Sequence, residues 1–71
     1  SSSFKVFVSD VISITDNRKI DFITITNTLG ATIYSSNVDA KDIKIENTFS
    51  NGIYFLSIMQ AEKITTRKIK L

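Results

Sequence analysis

The side chains that could do chemistry are carboxylates, hydroxyls, a basic tail and two tyrosines; neither His nor Cys occurs in the 71 residues. That removes the commonest general base, the usual pH switch and any thiolate nucleophile or thiolate metal site. Asp39 and Asp42 lie in or beside one polar stretch, and Asp10, Asp16 and Asp21 lie around another. A Ca²⁺ site needs about six to eight converging oxygens, commonly from closely spaced acids with a Gly at the bend. Neither stretch has that spacing, so these carboxylates read as solvated loop groups, and no metal or cofactor is expected. No pair of carboxylates has the helper that glycoside hydrolysis needs. The serines lack a His or an obvious Lys to act as base. The chain reads as a non-enzyme.

Lys63, Arg67, Lys68 and Lys70 fall within the last nine residues. Such a tail could meet phosphate or an anionic head group, but lysines on a terminal strand also keep an exposed edge from aggregating. Nucleic-acid binding would want aromatics interleaved with the bases. The tail has none, and a net charge of +2 is too small to argue for it. No apolar run approaches the ~20 residues that span a bilayer, so no membrane insertion is expected. The aromatics, Phe4, Phe7, Phe22, Tyr34, Phe49, Tyr54 and Phe55, mostly sit in strand-like segments and read as core. Tyr54 lies in an apolar run, so its hydroxyl needs a partner if buried.

The elements that must position these groups are organised around Asn51–Met59, the longest apolar run. Asn51-Gly52 tolerates positive φ and predicts a sharp reversal. The residues after it are β-branched and aromatic, which is strand chemistry. Tyr54, Leu56 and Ile58 share one face, and Ile53, Phe55 and Met59 the other. A strand apolar on both faces is expected to be central and covered on both sides.

Other strand segments are Phe4–Val8, Val11–Thr15, Ile20–Thr26, Ala31–Tyr34, Asp42–Glu46 and Ile64–Leu71. Ile33 is expected inward and Thr32 outward. Asp16–Lys19 and Ser35–Lys41 read as polar loops, Asn27–Gly30 as a tight turn with Gly30 left-handed, and Gln60–Lys63 as a further turn. Phe49 reads as a plug over one end of the core. A helix at Asn37–Ile45 is rejected, because Val38, Ala40, Ile43 and Ile45 fit a period of 2 better than 3.6. About seven short strands at this spacing predict an all-β fold, a small antiparallel β-sandwich of immunoglobulin-like type. The domain is expected to span 4–71, with Ser1–Ser3 an overhang or linker that carries no signal-peptide features.

The order of three motifs goes further. Ile23-Thr24-Ile25-Thr26-Asn27-Thr28-Leu29-Gly30-Ala31-Thr32-Ile33, then Asn51-Gly52-Ile53-Tyr54-Phe55-Leu56-Ser57-Ile58, then Thr66-Arg67-Lys68-Ile69-Lys70-Leu71 resemble successive segments of one family. That family is the type A C-terminal sorting domains of the Bacteroidetes type IX secretion system. The family commonly has a Pro-Asn-Pro run before its second strand; this chain contains no Pro.

The resemblance implies a non-catalytic sorting signal on a larger exported protein. The cargo would pass through the periplasm and then be secreted or held at the cell surface. Implied partners are the type IX machinery and a sortase-like peptidase that removes the domain. Gly30 and Gly52 match the family's turn glycines and Tyr54 its aromatic; with Asn51 they are expected to be structural turn and motif residues. Lys68 and Lys70 match its terminal lysines. A signal read by a machine should expose its recognition elements, so Arg67, Lys68, Lys70 and Leu71 are the candidate translocon-recognition residues, with Lys68 and Lys70 expected outward and Ile69 and Leu71 anchoring the strand. Exposed edges also suggest weak edge-mediated pairing of two copies. The alternative is a carbohydrate-binding or adhesive sandwich, or a spacer, retained on a secreted protein. That reading wants a groove of exposed aromatics and often Ca²⁺.

Overall fold

A computed structural model describes residues 4–71; the overhang assigned to 1–3 lies outside the described residues. Five strands run in chain order: β1 (Lys5–Val8), β2 (Val11–Asn27), β3 (Thr32–Glu46), β4 (Ile53–Gln60) and β5 (Lys63–Lys70). Every pairing is antiparallel, and no helix occurs among the described residues. The all-β antiparallel class therefore holds.

β2 is the spine. β3 lies along one edge of it throughout. On the other edge, β1 pairs with Ile12–Thr15 and β4 pairs with Phe22–Asn27. β5 is attached only through β4.

The expected seven-strand, immunoglobulin-like sandwich gives way to one connected five-stranded sheet, curled so that its two halves share a core. The segments expected as separate strands merge because the polar runs between them stay extended. Asp16–Lys19 is a bulge inside β2, not a loop, and Ser35–Lys41 lies within β3. From Thr15 opposite Asp42 to Ile20 opposite Ala40, β2 uses five residue steps and β3 only two. The extra residues bend the strand. A second irregularity lies between Ile20 and Phe22. Burial records a change of facing across it: Ile12, Ile14 and Ile20 are buried, then Ile23 and Ile25, a switch from even to odd positions. On β3 the matching bend includes Asp39, with φ of 53°. Lys19 reaches across to Asp39 at 2.9 Å. Both side chains are mostly solvated, so the pair adds little to stability.

The bend turns the sheet on itself. Ile12, Ile14, Ile43 and Ile45 from one half join Ile23, Ile25, Leu56, Ile58 and Ile69 from the other in a single cluster. Each fully buried aliphatic side chain contributes about 1.5–3 kcal/mol relative to exposure. Phe4 closes one end at 2% exposed, and Phe49 packs half-buried against the cluster.

Three local expectations are corrected. β4 lies inside the sheet, between β2 and β5, but is covered on one face only. Tyr54, Leu56 and Ile58 are buried, while Phe55 and Met59 are half-buried and Ile53 is exposed. Ile33 faces out and Tyr34 takes the half-buried inward position. A register shift between Ile25 and Thr26 reverses the parity expected there. Asn51-Gly52 is not a hairpin turn. It ends the Asn47–Gly52 connection that carries the chain from β3, on one side of β2, to β4 on the other.

Candidate recognition surface

The sequence singles out two turn glycines, and each holds a corner. Gly30 has φ of 88° and closes the β2–β3 hairpin. Its N–H donates to the Asn27 carbonyl, and the Asn27 side-chain oxygen accepts from the N–H groups of Leu29 and Ala31. Gly52, with φ of 155°, exchanges both backbone hydrogen bonds with Leu71, at 2.9 and 3.3 Å. Leu71 is thereby fixed by its backbone beyond the end of β5, with its side chain half-buried. Asn51 is exposed at the same corner. Tyr54 finds its partner: its hydroxyl donates to the Ser50 carbonyl at 2.8 Å. Such a bond from a buried Tyr to the backbone a few residues upstream is the geometry of a tyrosine corner. The Phe49 ring lies 6.2 Å from both Tyr34 and Tyr54, tying the corner to β3.

The basic tail divides by parity. Ile69 is buried, Lys68 and Lys70 are exposed. Arg67 is on the inward side with Ile69, and its guanidinium lies over the Phe4 ring at 4.3 Å. Lys68 and Lys70 thus face solvent, whereas Arg67 is engaged with the start of the domain and Leu71 with Gly52.

Register assembles the outer face of this half of the sheet, because residues directly opposite share a face. One row holds Asn37, Phe22, Met59 and Ile64. The next holds Ser35, Thr24, Ser57 and Thr66, with Ser57 and Thr66 hydroxyls 2.9 Å apart. The third places Thr26, Phe55 and Lys68 side by side, and the last pairs Ile53 with Lys70. A shallow apolar depression of about 260 Å³ lies at the end carrying Phe22, Met59 and Ile64. Phe22 and Phe55, expected in the core, both lie on this outer face. Phe22 does so because the facing switches across the second irregularity, between Ile20 and Phe22, which sets it on the face opposite the buried Ile23. Phe55 does so because no second layer covers its side of β4.

At the far end of β4, Ala61 and Glu62 form the two-residue loop of the β4–β5 hairpin, with φ of 48° and 68°. Two positive-φ residues make a type I′ turn, which favours Asn-Gly and strains other side chains. The β2 bulge holds this loop in place. The Ala61 N–H donates to Asp21 at 3.1 Å, and the Gln60 amide donates to Asp16 at 2.8 Å. The Gln60 bond stabilises the Asp16 carboxylate and lowers its pKa below the ordinary value, assisted by the Asn17 and Arg18 N–H groups and opposed by desolvation. Hydrogen bonding to Asp39 raises the pKa of Lys19. On the other half of the sheet, the Thr15 hydroxyl donates to the Asp42 carboxylate. No group of three or more His, Cys, Asp or Glu gathers as a metal site among the described residues.

These features define a class: a small all-β domain whose candidate site is a solvent-facing sheet surface with cations at one end. The family follows from comparison with known proteins. A family model described as the secretion system C-terminal sorting domain matches residues 8–71, and the chain belongs to that family. A search of curated proteins gave no match. Membership makes the chain a type IX C-terminal sorting domain, a signal that interacts with that machinery and sends cargo across the outer membrane.

Proposed function

We propose that this domain is a non-catalytic export signal read through its C-terminal strand, with Lys68 and Lys70 as the groups the translocon contacts. The observation that supports this is the split of the tail: Ile69 is buried and holds β5 down, while the two lysines beside it point to solvent. Leu71 and Arg67 set the strand's position, one through Gly52 and the other over Phe4. The cargo crosses the periplasm first. A sortase-like peptidase then cuts upstream of the domain and can join the cargo to anionic lipopolysaccharide. Gly30, Asn51, Gly52 and Tyr54 act by building the corners that fix β4 and β5. Weak pairing of two copies would use the open edge of β3.

The test is export of a fluorescent reporter ending in this chain, in a host with the type IX machinery and in a translocon-null strain. Reporter at the surface or in the medium of the intact host alone is the expected result. Periplasmic retention in both strains would overturn the reading and favour an adhesive or spacer module. Wild-type export of Lys68→Ala with Lys70→Ala would refute the lysine contact.

A further inference from the structure

The chain carries seven Asp and Glu residues, and none lies on the outer face of the β2–β4–β5 half. Register and burial place Asp10 and Glu62 in turns, Asp16, Asp21 and Asp39 at the bulge, and Asp42 and Glu46 on the other half of the sheet. The same face holds Lys68 and Lys70 at one end. Phe55 and Ile53 lie directly beside these lysines across the β4–β5 pairing. At the other end Ile64 is 66% exposed and continues into half-buried Met59 and Phe22. Exposed apolar side chains that adjoin one another rather than scatter mark an interaction site.

We infer that this whole face, and not the lysine tail alone, is a docking surface for a protein partner whose apolar patch is flanked by carboxylates. The inference rests on the export reading and gives it a location and a partner chemistry. Charge complementarity selects the carboxylates: a face with two cations and no anion attracts an acidic partner and repels a basic one. The apolar depression at the Ile64 end selects the apolar part. The hydroxyl row of Thr24, Ser57 and Thr66 between the two ends selects protein over membrane, because acyl chains offer those hydroxyls nothing to bond. Two lysines are also a weak electrostatic anchor for an anionic bilayer, where stable attachment takes clusters of about four to eight.

The experiment compares three double variants in the reporter assay. Lys68→Glu with Lys70→Glu reverses the cationic end. Met59→Thr with Ile64→Thr removes the apolar end with residues that suit a strand. Lys41→Glu with Lys44→Glu is the control, making the same change in net charge on β3. The expected result is a tenfold or greater loss of export for each of the first two, export within twofold of the parent for the control, and thermal midpoints close to the parent for all three. If Met59→Thr destabilises the domain, Ile64→Thr alone replaces the pair, since Ile64 is mostly in solvent.

Parental export of the apolar variant would overturn the docking face and leave the lysine contact standing. Equal loss in the control would reduce the effect to net charge and overturn it too. Co-sedimentation of the chain with phosphatidylglycerol vesicles, lost in the first two variants, would replace the protein partner with a membrane. Failure of the parent itself to be exported in the intact host removes the export reading, and this surface with it.

Discussion

Combining Ala61→Asn with Glu62→Gly should stabilise the domain. Both positions have positive φ, 48° and 68°, where the Cβ of an ordinary L-residue costs about 1–2 kcal/mol. Asn tolerates that region through its short polar side chain, and Gly has no Cβ at all. Against this, Gly loses more backbone freedom on folding, which offsets about 0.5–1 kcal/mol. The bond from the N–H at position 61 to Asp21 is untouched, since neither substitution removes a backbone donor. The net gain is about 1–2 kcal/mol, or roughly 4–16 °C in the melting midpoint of a domain this size. Thermal unfolding followed by circular dichroism measures it, with Glu62→Gly alone recovering the larger share. A midpoint that stays put or falls would show that the loop is not strained, and that the hydrogen bonds from the bulge reflect ordinary turn packing.

Gly52→Val should lower stability by about 1–3 kcal/mol, because the backbone conformation rather than space is the obstacle; the nearest atom to an added Cβ is Tyr54 Cε1 at an ordinary 3.9 Å. An unchanged midpoint would refute that assignment. Tyr54→Phe should cost about 1 kcal/mol by leaving the Ser50 carbonyl without its donor, and a neutral result in chemical denaturation would show that water replaces the bond. Leu56→Ala empties a fully buried position and should cost about 2–5 kcal/mol, visible as a broadened or absent thermal transition. Asp16 has a lowered folded-state pKa, so its stabilising contribution is present above the unfolded-state value and lost as pH falls through the folded one. Asp16→Asn should therefore flatten the acid limb of stability against pH, and an acid limb identical to the parent's would refute the role of the Gln60 contact.

Much of the fold is legible in the residue pattern because strand alternation is local. Ile43 and Ile45, Tyr54, Leu56 and Ile58, and Ile69 all fall inward as period-2 reading predicts. The Gly30 corner is legible because only a few residues suit positive φ. Failures begin where a distant partner decides the outcome. Asp16–Lys19 carries four polar residues and reads as a loop, yet it remains extended because β3 spans it. Ile33 reads as core, yet a register shift against β2 turns it outward. For the site, the exposed Lys68 and Lys70 are visible in the alternation of the tail. The inward turn of Arg67 onto Phe4 is not, because it joins the two ends of the domain. The outer apolar face is hidden for the same reason: Phe22 follows the irregularity between Ile20 and Phe22, and its facing depends on how β3 pairs there.

β5 has one neighbour, β4, while β2 has three. A chain delivered from its N-terminal end can therefore assemble β1, β2 and β3 as soon as Glu46 has emerged, and add β4 after Gln60. Until Lys63–Lys70 arrives, β4 carries an open edge, Phe4 lacks the guanidinium above it and Gly52 lacks Leu71. The close of the domain thus completes the environment of residues at its start. A polypeptide interrupted before Lys63 displays an unfinished sheet that differs physically from the complete one. The strand proposed to bear the signal is in this sense also a length gauge: its presence in the sheet certifies that synthesis ran through to the residues that finish the domain.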